Sequence, residues 1–280
     1  MLPVYYSPLR RVWHYSLRII VGLVLLFLIF PILIIIPLSF NVEPFFTFTE
    51  GMLKLDPDAY STKWYVEFFT EKKWNIAVVN SFYYAFMSTL LATFLGTLAA
   101  VGLASDRMPY KPLITAILIS PMIVPLIIIA AGMYFFYSVM GIAGTDFGII
   151  VAHAMLGTPF VVITVTATLA GFDKSLLNAS KSLGASPLKT FFYVTFPLVR
   201  PGIISGALFA FVTSFDEVVL IIFLADPDQR TIPRQMFSGL REQINPTILA
   251  AASLLILVSI LLLFTIEYLR RRSENQTFGH

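Results

Sequence analysis

A chain of 280 residues in which 58% are hydrophobic and only 12% charged, with a mean hydropathy of +0.83, argues against a water-soluble enzyme. The net charge of +3 does not mark a nucleic-acid binder, because the basic residues sit between apolar blocks and form no patch. With no cysteine, disulfide frameworks, thiolate metal sites and cysteine nucleophiles are all excluded.

A bilayer-crossing helix needs about 20 apolar residues, since the hydrocarbon offers no water to an unpaired backbone. Six stretches qualify: 19–42, 75–105, 112–145, 147–172, 201–225 and 243–266, the fifth only if one acidic pair is admitted. The chain therefore reads as an all-α integral membrane protein with six transmembrane helices. Residues 1–18 form an N-terminal segment, 19–270 the membrane domain and 271–280 a tail. The first stretch follows Arg10, Arg11 and Arg18 as a secretory signal would. It is too long for such a signal's apolar region and has no small-residue cleavage site, so it reads as a retained anchor. Twelve Lys and Arg fall on the side of both termini and seven on the other, which places both ends in the cytoplasm.

The external loop 42–74 carries six acids together with Trp64, Tyr65, Phe68 and Phe69. This mixture suits a helix lying in the headgroup region, as an aromatic belt or as a docking surface. In the second span, Gly96, Ala99, Ala100, Gly102 and Ala104 permit close helix packing. Pro121 and Pro125 in the third each delete a backbone donor, so a kink or break is expected there. Such a break is either structural or lines a transport pathway. His153 in the fourth span stands alone and reads as a packed or hydrogen-bonded residue, not a ligand.

The cytoplasmic loop 173–200 is long for a membrane bundle. Its Leu176, Leu177, Leu183, Leu188, Phe191, Phe192, Val194 and Phe196 would not be buried by a lone loop, which implies a partner surface. Gly184 suits a helix stop, and Ser186 followed by Pro187 suits the start of another. A helix–turn–helix beneath the membrane is predicted, ended by Pro197 and Pro201, with Pro201 opening the fifth span. Residues 184–190, GASPLKT, imitate a phosphate-binding loop. They lack the glycine before Lys189 and a preceding strand, so ATP binding by this chain is rejected.

In the fifth span Asp216 and Glu217 fall at membrane depth, at a cost of roughly 2.5–3.5 kcal/mol each on an insertion scale. Asp216 lies about 22 Å along the helix from Pro201, beyond the midplane. Ser205, Phe209 and Thr213 share its face. The acids either bond a partner subunit and hold helices in register or line a path for a cationic substrate, with Phe209 and Phe215 adding cation–π attraction. The candidate pathway is thus Asp216, Glu217, Thr213, Phe209, Phe215, Pro121 and Pro125.

Asn178-Ala179-Ser180, three residues, Gly184, nine residues and Val194-Thr195-Phe196-Pro197 resemble the EAA motif of binding-protein-dependent ABC importer permeases, EAA-x3-G-x9-I-x-L-P. Asn178 stands where that family has Glu and Ser180 where it has Ala. The resemblance extends through STKWYVEFF before the second span, PMIVP in the third and PGIISGALFAF in the fifth. SFDEVVL is similar to the spermidine/putrescine branch of these permeases.

The resemblance implies a type I importer permease fold in the bacterial plasma membrane, with a cytoplasmic coupling helix. That helix would use Asn178, Ala179, Ser180, Gly184, Ala185, Ser186, Pro187, Leu188 and Phe191 to dock on an ATPase, with Leu188 and Phe191 as anchors. It further implies a second permease subunit in a heterodimer, two ATPase subunits and an extracytoplasmic binding protein. ATP and Mg would sit on the partner ATPase, with no cofactor, metal or catalytic residue on this chain. Polyamine is the leading cargo; an opine, thiamine or ferric iron would use a similar permease. An ion-coupled secondary transporter would explain Asp216 and Glu217 but not the apolar loop. An intramembrane enzyme lacks a nucleophile, a metal cluster and an acid–base set.

Overall fold

The computed structural model describes residues 8–105, 108–171, 175–242 and 245–277. Arg107, Phe172, Asp173, Lys174 and Gln243, all used above to bound spans or orient the chain, lie outside the described residues, as do residues 1–7 and 278–280. The helices in chain order are α1 (Pro8–Leu38), α2 (Glu50–Leu53), α3 (Lys63–Thr70), α4 (Lys72–Ala104), α5 (Lys111–Ile119), α6 (Leu126–Met140) and α7 (Asp146–Ala170). They continue with α8 (Ser175–Ser182), α9 (Pro187–Thr190), α10 (Phe196–Phe215), α11 (Val219–Leu224), α12 (Ile232–Glu242) and α13 (Thr247–Thr277).

Each predicted span falls on a helix or a helix pair. Residues Val12–Leu38 of α1, α4, α7 and the continuous run Pro187–Phe215 are long and apolar enough to cross a membrane. The pair Lys111–Met122 and Leu126–Met140, bent by 97°, adds a fifth when taken as one span, and α13 contributes the shorter apolar stretch Thr247–Leu261. The break in the third span is where the prolines put it. Pro121 sits in a 3-10 turn, Ser120–Met122, and Pro125 immediately precedes α6.

The fifth span departs from the reading of the sequence at both ends. Pro197 and Pro201 do not end the hairpin predicted to lie in the cytoplasm. A π-helical turn, Phe191–Thr195, carries α9 straight into α10, with Pro197 in the first turn of α10 and Pro201 inside it. A missing N–H is tolerated best in a first turn, and the wider turn lets the helix continue past it. At the other end α10 stops at Phe215, well before residue 225, and α11 is a separate short helix.

Contacts divide the chain into two units, Lys72–Phe237 and the combination of Met1–Glu71 with Ser238–His280. In the latter, α13 packs on α1 and α3. Trp64 and Phe68 are buried there, so half of the predicted interfacial aromatics are internal. The Trp64 indole N–H donates to the Asn41 carbonyl at 2.7 Å, which meets the condition for burying a tryptophan. Tyr65 shares a 2.6 Å hydrogen bond with Ser39, and Asn245 donates to Glu67 at 2.8 Å.

The other unit is built on α4, α7 and α10, whose buried faces carry small residues at four-residue steps. Gly202, Gly206, Ala210 and Ser214 face inward on α10. A Cβ on Gly157 would come within 2.9 Å of Ala210 Cβ and 3.2 Å of Ala92 Cβ, and one on Gly96 within 2.6 Å of Val161 Cβ. Backbones this close account for the absence of larger side chains. Of the predicted small-residue series, Gly96 and Ala100 are buried in the core, whereas Gly102 has nothing within 4 Å of its would-be Cβ. Beside the core, Leu220 and Leu224 of α11 cluster with Ala130 and Tyr137 of α6.

Candidate functional site

The α8–α9 hairpin forms as its turn chemistry requires. Gly184 adopts φ +73° just after α8. The Ala185 N–H reaches back to the Ser180 carbonyl at 3.1 Å and the Leu183 N–H to Ala179 at 3.0 Å. This closes α8 in the manner of a Schellman stop. Ser186, extended at φ −65° and ψ 157°, accepts the Lys189 N–H on its hydroxyl at 3.4 Å, and Pro187 begins α9. The GASPLKT stretch is thus the turn between α8 and α9.

Two features of the hairpin decide what it can do. Ser180 and Thr190 are buried, and their hydroxyls share a 2.7 Å hydrogen bond that ties α8 to the end of α9. The serine at the third motif position therefore has its own partner. Around this tie the apolar side chains point outward, with Leu183 87%, Leu188 72% and Tyr193 81% exposed. Asn178 and Ala179 are exposed as well, and Ala185 is half-buried. Phe191 is half-buried and packs edge-on to Phe192 at 5.1 Å and near Phe196 at 6.2 Å. The apolar surface on offer is accordingly centred on Leu183, Leu188 and Tyr193.

At the far end of α10 the acidic pair separates. Asp216 is the C-cap residue and is exposed, whereas Glu217 is buried, and its carboxylate accepts the Leu220 N–H at 2.8 Å. Glu217 thereby satisfies an otherwise free donor at the start of α11. Ser205, Phe209 and Asp216 lie on an exposed face, with Thr213 half-buried beside them. Phe209 stacks on Phe160 at 6.0 Å. Phe215 meets Phe82 edge-on at 5.2 Å and stacks on Phe211 at 5.8 Å. The structure thus gathers Asp216, Thr213 and Phe209 and turns Glu217 away. The 3-10 turn holding Pro121 packs on α7. His153 is buried and hydrogen-bonded, through Nδ1, to Ser214 Oγ at 2.8 Å.

The turn 226–230, which looks like an ordinary polar loop in sequence, is stapled to distant helices. Asp146 accepts the Tyr84 hydroxyl and the Gln229 amide, both at 2.7 Å. Asn80 donates to the Asp228 and Arg230 carbonyls at 2.9 and 3.1 Å. Arg234 donates to the Ile221 and Ala225 carbonyls at 3.0 Å each, closing the end of α11. Burial, with Arg230 nearby, lowers the Arg234 pKa from its ordinary value, and Asp226 opposes this. Partners so distant in sequence leave no local signal to read. Among the described residues, no three His, Asp or Glu converge on a point where a metal ion could bind.

Residues 92–275 match the family described as binding-protein-dependent transport system inner membrane component. The chain is 32% identical to the putrescine transport system permease protein PotI of Escherichia coli over 282 residues, covering 98% of this chain and 95% of that protein. It is 29% identical to the spermidine/putrescine transport system permease protein PotC of the same organism over 253 residues, 90% of this chain and 93% of that one. In fold it is similar to a chain of a bacterial ABC transporter involved in the import of the acidic polysaccharide alginate. The TM-score there is 0.72 at 14% identity, covering 99% of this chain and 100% of the other.

Proposed function

This chain belongs to the family of binding-protein-dependent transport system inner membrane components and is a permease subunit of an ABC importer; we propose that its cargo is a polyamine, spermidine or putrescine, and that the α8–α9 hairpin couples it to ATP. The hairpin carries the mechanistic part of the reading. Leu183, Leu188 and Tyr193 present apolar surface on a turn held by the Ser180–Thr190 tie, which is what a rigid plug for a groove on a separate ATPase needs. Asn178, Ala179, Gly184, Ala185, Ser186 and Pro187 shape that plug, and Phe191 supports it from behind.

ATP and Mg are bound and ATP is hydrolysed on the partner subunits. ATP has only to favour one arrangement of the ATPase pair, and the hairpin passes that bias to the inward-facing and outward-facing states of the spans. The continuous helix Pro187–Phe215 offers a direct mechanical link from the hairpin to Asp216. Residues 1–18 and 271–280 lie in the cytoplasm, a second and different permease subunit completes the pore, and an extracytoplasmic binding protein delivers the cargo.

The polyamine assignment is supported by the names of the relatives, which match along nearly the whole chain. The exposed Asp216 carboxylate, with Thr213 and Phe209 on the same side, suits a cation carrying several ammonium groups. The break at Pro121 and Pro125 borders the path, and Phe215 braces the end of α10. An ion-coupled mechanism has less support, since Glu217 is taken up as the cap of α11. The test is uptake by proteoliposomes holding the permease pair, the ATPase and the cognate binding protein. Spermidine or putrescine should enter with ATP inside. Retention of an opine, thiamine or ferric iron by the binding protein, with no polyamine uptake, would overturn the cargo assignment.

A further inference from the structure

The contacts of α4, α7 and α10 define a ladder of levels. Gly157 sits against Ala92 and Ala210, and Val161 against Gly96 and Gly206. A step of four residues therefore moves up α4 and α7 together and down α10, so the first two run parallel and the third antiparallel. One further step toward the α10 C-terminus reaches His153 and Ser214, joined by a 2.8 Å hydrogen bond, and the same four-residue step on α4 puts Ser88 at this level. The next level beyond contains Tyr84 and Ile149, clustered with Ile221.

This level is sealed and polar. Ser88 and His153 are 1% exposed and Ser214 is 4% exposed, and the Ala92–Gly157–Ala210 level on one side of it is wholly apolar. His153 Nδ1 has Ser214 as its partner. His153 Nε2 and Ser88 Oγ are buried and have no hydrogen-bond partner among the described residues. Whichever tautomer the imidazole takes, Nε2 is a donor or an acceptor, and a serine hydroxyl can be both. Buried polar atoms of native proteins are nearly always paired, and a polar pocket between two such atoms holds water where an apolar one of equal size stays dry.

We infer that one ordered water molecule is bound between Ser88 Oγ and His153 Nε2, completing the chain Ser88, water, His153, Ser214 across the three helices. The chain fastens the last turn of α10 to α7 and α4 immediately before Asp216 and Glu217 part, one outward and one inward. His153 is thus a positioning residue for the α10–α11 break. The assignment rests on the packing of the ladder and does not depend on the cargo.

Electron cryomicroscopy of the transporter in lipid nanodiscs, at a resolution that shows ordered solvent, tests it directly. A discrete peak within hydrogen-bonding distance of both Ser88 Oγ and His153 Nε2 is expected. Well-defined side chains with no peak, whether Ser88 bonds His153 directly or turns to its own helix, would overturn it. A thermal double-mutant cycle gives an independent reading. Ser88→Ala should lower the unfolding midpoint in the wild type and leave it unchanged in a His153→Leu background, whereas equal shifts in both would refute the bridge. If His153→Leu does not assemble, the wild-type map decides alone.

Discussion

Replacing Gly206 by alanine tests the ladder at the rung where a neighbouring backbone comes closest. A Cβ there would stand 2.5 Å from Thr164 Oγ1 and 2.7 Å from Val161 Cα, against about 3.5–4.0 Å for an unstrained contact. The threonine can turn, but the Val161 backbone cannot, so α10 must retreat by about 1 Å from α7. Overpacking of this kind costs about 1–3 kcal/mol. The levels built on Gly157 with Ala210 and on Gly202 with Thr168 would loosen with it. Gly102 on α4 is the matched control, because its would-be Cβ meets nothing within 4 Å, and alanine there should be neutral or stabilising by up to about 1 kcal/mol. The assay is thermal unfolding of the solubilised complex, followed by size-exclusion chromatography after heating. Gly206→Ala should melt several degrees below wild type and Gly102→Ala at or above it. Equal tolerance at both positions would refute the close-packed ladder.

Other substitutions separate the roles assigned to the two candidate regions. Ser180→Ala and Thr190→Val should each leave a buried hydroxyl unpaired, at about 1–3 kcal/mol, and each should lower the uptake obtained per ATP. The double variant should recover part of that loss, whereas additive defects would argue against the tie. Leu183→Asp with Leu188→Asp should abolish co-purification of the ATPase while the permease still inserts in the membrane, and normal assembly would remove the hairpin as the docking element. Asp216→Asn should reduce uptake at least several-fold with an unchanged melting temperature. Glu217→Leu, which deprives the Leu220 N–H of its acceptor, should instead destabilise by about 1–3 kcal/mol; the opposite pattern would exchange the roles given to the two acids.

The hairpin was legible because its signals are local. Gly184 and the Ser186-Pro187 pair encode a stop and a start within a few residues, and the structure reproduces both. The break at Pro121 and Pro125 was legible for the same reason, a deleted donor being visible in sequence wherever it falls. The prolines misled at residues 197 and 201, where a π-helical turn absorbs what would otherwise end a helix. Nothing in one sequence announces such a turn. The fate of the acidic pair was hidden too, since Asp216 and Glu217 are chemically alike and only the position of the Leu220 N–H decides which of them caps α11. Long-range partners were the least accessible. The Asp146–Gln229, Asn80–Arg230 and His153–Ser214 bonds join residues more than sixty positions apart, and each residue alone looks like an isolated polar side chain. The small-residue series was half visible, because composition identifies glycines and alanines but not the face each one occupies.

The most direct test of the account is substrate uptake by vesicles reconstituted with the permease pair and loaded binding protein, with and without the ATPase subunits. Transport should appear only when the ATPase and ATP are both present on the side of the α8–α9 hairpin, and should fall away with the Leu183 and Leu188 substitutions. Uptake at full rate without the ATPase, driven by an ion gradient alone, would contradict it.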